Sequence, residues 1–325
     1  MNGPSRTGFL SKNLSLVATA AILGVLFGAA AFFYPGFFSA RVITSLFADN
    51  AFLGIAALGM TLVIFAGGID LSVGAVIGFT SIFTATLVTG RGVAPGVAWS
   101  LALLLGTGLG ALMGTLIHVF RLPPFLITLA GMFLARGAGF WLNTESVGIQ
   151  HPLYDRLANF NLALGESVLI PAAALIFVVA VVVGYLIGHH TRFGRNLLAI
   201  GGNEQSALLM GLPVASTKIA VYALNGFCAA LAGIVATLYT GSGNPSMGIG
   251  LELDAIAVVV IGGTLLAGGR GHVLGTLLGI LIFGTIQAAI LFDGRLSSWW
   301  MRIVVGGLLL GFILLQRLML RSGKR

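Results

Sequence analysis

Residues 67–74 read GGIDLSVG and set a carboxylate, Asp70, between two apolar runs, 51–66 and 73–88. An ionisable group in such a setting costs about 2.5–3.5 kcal/mol on insertion scales, so it faces a cavity, a partner or the bilayer surface. Two roles are open to Asp70. It stands two residues before Ser72, at the start of the next apolar segment, where it can cap a helix by accepting from free backbone N–H groups. Alternatively it lines a transport path or switches conformation as substrate passes. Gly67 and Gly68 permit a broken helix just ahead of it. Irregular backbone at membrane depth is tolerated only where it is buried in protein or lines a cavity. A path would then run between the 50–70 and 254–271 regions, with Asn50, Thr61, Asp70, Ser72 and Thr264 as candidate lining residues. Against each hydroxyl stands the simpler role of bonding its own helix backbone. Asp49, Glu252 and Asp254 read as caps at the outer ends of helices. Arg136, inside an apolar run, either pairs with one of these acids, snorkels, or touches substrate.

A second stretch, GNEQSALLMGL at 202–212, reads as a short helix with Glu204 near its start. It either rests on lipid headgroups or docks into a groove of a soluble partner. Its candidate contact residues are Gly202, Asn203, Glu204, Ala207, Met210 and Gly211. Other chemistry is missing from the sequence. There is no GxxxxGK[ST] phosphate loop, since Gly323-Lys324 is followed by Arg325. His118, His151, His189, His190 and His272 are scattered, and the adjacent pair 189–190 would face two ways on a helix, so neither a metal site nor a cofactor is expected. No Ser or Cys shows a paired base, which argues against an enzyme.

The elements that must hold these residues follow from composition. The 325 residues are 58% hydrophobic and 8% charged, against about 25% charged in soluble domains. The mean hydropathy is +1.05. An all-α polytopic membrane protein is expected, built as one transmembrane domain over 14–320 with short cytoplasmic tails at 1–13 and 321–325. Ten spans of about 20 apolar residues can be placed near 14–34, 46–68, 71–90, 97–118, 124–143, 167–188, 218–240, 252–267, 272–292 and 299–319, with 36–48 as a possible interfacial helix. The run 14–34 exceeds the roughly 7–15 residues of a secretory h-region and is read as a retained span. With both termini inside, eleven of the seventeen Lys and Arg residues fall at cytoplasmic ends and six at outer ends. That bias favours the N-in, C-in orientation, and it explains a net charge of +8 without nucleic acid. Trp99, Trp141, Trp299 and Trp300 all fall at outer ends, as interfacial aromatics do. The long loops are 144–166 outside and 189–217 inside. The 48 glycines suit close helix packing, and Cys228, the single cysteine, permits no intrachain disulfide. An internal repeat is also visible: Gly67, Gly68, Gly74 and Gly78 match the spacing of Gly268, Gly269, Gly275 and Gly279, and Thr61 matches Thr264.

Four stretches then carry a family resemblance. GMTLVIFAGGIDLSVGAVIG at 59–78, LPPFLITLAGMFLARGAGF at 122–140, AIGGNEQSALLMGL at 199–212 and LDAIAVVVIGGTLLAGGRGHVLGTLLG at 253–279 resemble the ribose-type sugar-importing permeases of ATP-binding cassette (ABC) transporters. The resemblance runs from about residue 35 to 320, while the basic first dozen residues match nothing familiar. Within that family, ESVGIQHPLYDRL at 145–157 and FDGRLSSWWMRIVVG at 292–306 resemble permeases of galactofuranose importers. The resemblance implies alternating access in the bacterial inner membrane. Its expected partners are a cytoplasmic ATP-binding subunit, a second permease (heterodimer, otherwise homodimer) and a periplasmic sugar-binding protein. It also implies that 201–212 is the loop that docks on the ATPase. Ribose or another pentose or hexose is the alternative cargo, and an ion-coupled secondary transporter is the distant alternative mechanism.

Overall fold

The computed structural model describes residues 14–163, 168–297 and 299–322, with side chains from 15 to 314. The tail residues 1–13 and 323–325, and the side chains of Arg317 and Arg321, lie outside this range, so the charges expected there at cytoplasmic ends fall outside the described residues.

The apolar runs fold as helices because a helix satisfies the backbone polar groups within one segment, away from water. In chain order they are α1 (Leu14–Phe33), α2 (Ala40–Asp49), α3 (Ala51–Phe65), α4 (Val73–Ala85, continued as a π-turn to Gly90), α5 (Pro95–Val119), α6 (Pro124–Leu142), α7 (Pro152–Ala158), α8 (Ala172–Tyr185, continued to His190), α9 (Arg192–Gly202), α10 (Glu204–Leu209), α11 (Val214–Thr240), α12 (Leu251–Ile261), α13 (Val273–Asp293) and α14 (Trp299–Ser322). Pro starts α5, α6 and α7, where its missing N–H is no loss.

Seven of these segments are long and apolar enough to cross a membrane: Ser15–Phe33, Val73–Gly90, Pro95–Val119, Pro124–Leu142, Ala172–His190, Val214–Thr240 and Val273–Asp293. The expected span at 46–68 is divided. The chain bends by 56° at Asn50 between α2 and α3, and α2 (Ala40–Asp49), which overlaps the stretch 36–48 read as a possible interfacial helix, is an amphipathic helix capped by Ser39 accepting from Val42 N–H at 3.3 Å. The expected span at 252–267 is also shorter than a crossing. Its helix, α12, has 11 residues, or about 16 Å of rise, and ends at a turn through Gly262 and Gly263. The described apolar part of the last segment is Trp299–Leu314.

α3 is the centre of the bundle. Every residue from Ala51 to Phe65 except Phe52 is buried, as an all-apolar helix requires when protein surrounds it. Gly54 receives the ring of Phe177 from α8, and Gly59 receives Asn225 and Cys228 from α11. α11 and α5 cross closest, with Gly106 against the Gly226 carbonyl and Gly110 against that of Tyr222.

The connections gather at two ends. One, the hairpin end, holds 66–72, 191–213 and 262–272. The other, the cap end, carries the described part of the long loop, 144–163. There β1 (Val147–Gly148) pairs antiparallel with β4 (Ser242–Gly243), and β2 (Asn161–Ala163) pairs with β3 (Leu169–Pro171). α7 is fastened over this end by Tyr154, whose hydroxyl accepts from Trp99 Nε1 at 2.9 Å and lies 3.2 Å from Thr237 Oγ1.

Candidate functional site

The break after α3 is built by three turn bonds: Ala66 N–H to Val63 O, Gly67 N–H to Ile64 O and Gly68 N–H to Val63 O. Gly67 takes φ +76, a region that side chains disfavour. Asp70 follows and is sealed in, 1% exposed. Its Oδ1 accepts from Ser72 N–H at 2.8 Å and from Ser72 Oγ at 2.6 Å. Its Oδ2 accepts from Asn225 Nδ2 on α11 at 2.7 Å. Tyr222, three residues earlier on α11, packs its hydroxyl against Gly68. α4 begins at Val73 with Ser72 as its N-cap residue. Asp70 therefore closes the turn that leads into the helix rather than capping the helix's first turn, and it ties that turn to α11.

Thr61, Ser72 and Thr264 are likewise fully buried. Thr61 Oγ1 lies 2.6 Å from Ala57 O and 2.7 Å from Thr276 Oγ1 on α13, so it bonds its own helix and also links the two repeat halves. Asn50, at the opposite end of α3, donates to Leu46 O at 3.0 Å and lines a cavity.

The repeat has a spatial meaning. The break after α3 and the break after α12 touch: a Cβ on Gly268 (φ +84) would lie 2.7 Å from Gly67 Cα. Gly269 donates its N–H to Phe65 O at 3.1 Å. The end of α9 closes the contact, since a Cβ on Gly201 would overlap the Phe65 carbonyl and one on Gly269 would come 2.7 Å from Gly202 Cα. Three backbones thus meet with no side chain between them.

Beyond this meeting point α9 and α10 form a helix pair at the hairpin end. Thr191 caps α9 through Gly194 N–H at 3.2 Å, and Asn203 caps α10 through Ser206 N–H at 2.7 Å. Glu204 pairs with Lys218 at 2.6 Å, the one salt bridge among the described residues. Ala207 is buried with Ile200 and Val214. Gly202, Asn203, Glu204, Met210 and Gly211 are exposed. Leu208 and Leu209, which the site expectation omitted, are 63% and 88% exposed. A run of exposed apolar residues marks them.

At the cap end a cavity of about 350 Å³ opens between the starts of α3 and α12. Its polar lining is Asp49, Asn50, Asp254, Gln287 and Arg302, and its apolar lining includes Phe52, Phe283 and Trp299. Arg136 does not reach it. That guanidinium donates from Nη1 to Pro245 O at 2.6 Å and Met247 O at 2.8 Å, bracing the loop before α12.

Histidine spacing concealed one further pair. His189 and His272 stack with centroids 4.1 Å apart beside Tyr185. His189 Nε2 accepts from Val273 N–H at 3.1 Å and His272 Nδ1 from Leu274 N–H at 3.2 Å. Two imidazoles thus cap α13. No group of three or more potential metal ligands occurs among the described residues.

Comparison with known proteins places this architecture. Residues 42–313 match the family described as the permease component of the branched-chain amino acid transport system. The inner membrane ABC transporter permease protein YjfF of Escherichia coli is 50% identical over 95% of this chain and 93% of its own. The fructose import permease protein FruG of Bifidobacterium longum is 42% identical over 86% and 84%. The ribose import permease protein RbsC of Bacillus subtilis is 38% identical over 87% of each. No solved structure matches the chain.

Proposed function

Because the chain belongs to this family of transport-system permease components, we propose that it is the multi-pass inner-membrane permease of an ATP-driven importer that moves a monosaccharide by alternating access. One observation carries the reading. The exposed Leu208–Met210 edge stands on a helix pair whose root, Gly201–Gly202, rests on both repeat breaks. Force applied to that edge reaches α3 and α12 together, and these two helices begin at the walls of the cap-end cavity.

The hairpin end is then cytoplasmic and the cap end periplasmic, with both termini inside. An ATP-binding subunit docks on 201–212 through Gly202, Asn203, Glu204, Ala207, Met210 and Gly211, joined by Leu208 and Leu209. ATP chemistry belongs to that subunit, in keeping with the missing phosphate loop, and this chain performs no covalent step. A substrate-binding protein delivers cargo to the cap end. A second permease completes the pathway, as a heterodimer. The permease domain runs over 14–320, with the tails and the 189–217 loop in the cytoplasm.

Galactofuranose is the preferred cargo, supported by the stretches 145–157 and 292–306. Ribose is the comparator, because permeases named for ribose import share 36–38% identity with the chain. The test is uptake of each labelled sugar into proteoliposomes that hold this chain with its neighbouring permease and ATPase, given the cognate binding protein, with and without ATP. ATP-dependent galactofuranose uptake supports the whole reading. ATP-dependent ribose uptake keeps the mechanism and changes the cargo. Gradient-driven uptake by this chain alone refutes the importer.

A further inference from the structure

The cap-end cavity differs from the rest of the bundle in chemistry. Its size, about 350 Å³, sits at the low end of the roughly 300–1,000 Å³ of small-molecule sites. That is room for one sugar ring. Its walls come from four places in the chain: Asp49 and Asn50 at the α2–α3 bend, Asp254 on α12, Gln287 on α13, and Trp299 with Arg302 on α14. Asp49 is oriented from outside the cavity, since Tyr239 Oη donates to its Oδ1 at 3.0 Å. Asn50 is 3% exposed and gives its amide N–H to Leu46 O. The guanidinium of Arg302 lies 5.6 Å from the centroid of Trp299, within cation–π range, and Trp299 still exposes 69% of its surface.

These groups select a ligand class. Carboxylates and an amide oxygen accept from hydroxyls, while the guanidinium and the Gln287 amide donate to them. An exposed indole offers an apolar plane for the C–H face of a ring. Two carboxylates against one guanidinium leave the lining with a net negative charge, which disfavours phosphorylated or acidic sugars. A purely apolar ligand would bury the Asp254 carboxylate and the Gln287 amide against groups that give them no hydrogen bond. We propose that this cavity is the docking subsite at which the permease itself receives a neutral, hydroxyl-rich monosaccharide, with Asp254 and Gln287 holding its hydroxyls and Trp299 stacking on its ring. The inference rests on the importer reading above and adds that this chain recognises the cargo directly.

Two measurements on the full complex in nanodiscs separate the two readings. The first is equilibrium dialysis of labelled galactofuranose and ribose, without ATP or binding protein, for wild type, Asp254→Asn, Trp299→Leu and Trp299→Phe. Trp299 is exposed and Asp254 half-buried, and Trp299→Phe controls for a change in the fold. The expected result is saturable binding that weakens about tenfold, the loss of roughly one good contact, in Asp254→Asn and Trp299→Leu, with recovery in Trp299→Phe. Equal binding by all four, or none by wild type, overturns the subsite. The second is sugar moved per ATP hydrolysed in proteoliposomes. A fall in that ratio for Trp299→Leu supports the subsite. Uptake and hydrolysis falling in step indicates a structural role and overturns it. Site-dependent binding without ATP-driven uptake supports the subsite and refutes the importer reading alone.

Discussion

Removing the Asp70 side chain gives the sharpest test of what the broken helix needs. In Asp70→Ala, three donors lose their acceptor: Ser72 N–H, Ser72 Oγ–H and Asn225 Nδ2–H. The hydroxyl can rotate towards another oxygen, but the backbone N–H and the amide cannot. Each buried orphan costs about 1–3 kcal/mol, so a loss of about 2–6 kcal/mol is expected, less whatever is regained by no longer burying a carboxylate. Asp70→Asn behaves differently. Its Oδ1 keeps both bonds from Ser72, and only the contact with Asn225 becomes donor against donor. Asn225 Oδ1 has no hydrogen-bond partner, so a flip of that amide restores a neutral bond at a cost of about 0.5–1.5 kcal/mol. The exchange Asp70→Asn with Asn225→Asp keeps a carboxylate facing an amide and recovers most of that cost. The assay is a double-mutant cycle on thermal stability of the purified complex, read together with ATP-dependent uptake. Scaffolding predicts the order wild type, exchange, Asp70→Asn, Asp70→Ala in stability, with uptake following. A stable Asp70→Asn complex that moves no sugar would refute this reasoning and make the charge at position 70 part of the transport step.

Three further outcomes are expected. Gly201→Val should sharply lower sugar moved per ATP, because even a Cβ there overlaps the Phe65 carbonyl; unchanged coupling would show that the three-backbone contact is dispensable. Leu209→Asp exposes no core, since Leu209 is 88% exposed, so it should weaken co-purification of the ATPase by about tenfold, or about 1.4 kcal/mol, with the permease melting as before. His272 should give a pH dependence: burial holds its imidazole below the ordinary value of 6.5, so the folded state binds the proton less readily than the unfolded chain. The cap's contribution is full above about pH 6.5 and is lost as pH falls through the lowered value. The melting temperature should therefore drop between pH 7.5 and 5, and His272→Asn, which caps without titrating, should flatten that slope.

Much of this was legible in the residues. Asp70 announced itself by cost alone, and the matched glycines announced two breaks, because only glycine allows φ +76 and φ +84 at positions 67 and 268. Apolar length located the long spans, but it misjudged 252–267, where hydropathy counts residues and cannot see that Gly262 turns the chain after 11 of them. Hydroxyls were harder. Thr61 and Thr264 are polar in an apolar run, yet burial turned both inward, and a sequence carries no sign of which face a helix offers to a cavity. Asn225, the partner of Asp70 on another helix, lies 155 residues away on a helix that reads as plain membrane span. The stacking of His189 on His272 is equally non-local. Leu208 and Leu209 carried a visible signal, an apolar run in an otherwise polar loop, that was assigned to the helix without being assigned to its surface.

The contact of Gly67, Gly268 and Gly201 can also be viewed as a fulcrum with unequal arms. From that point α3 reaches 15 residues towards the cap end and α12 only 11, or about 22 Å against about 16 Å. For the same rotation the far end of α3 travels about 1.4 times as far as that of α12. A push delivered at the hairpin would thus widen the cavity chiefly from the Asn50 wall while Asp254 stays nearer its place. One side of the mouth acts as a door and the other as its jamb, and the asymmetry comes from the different lengths of α3 and α12.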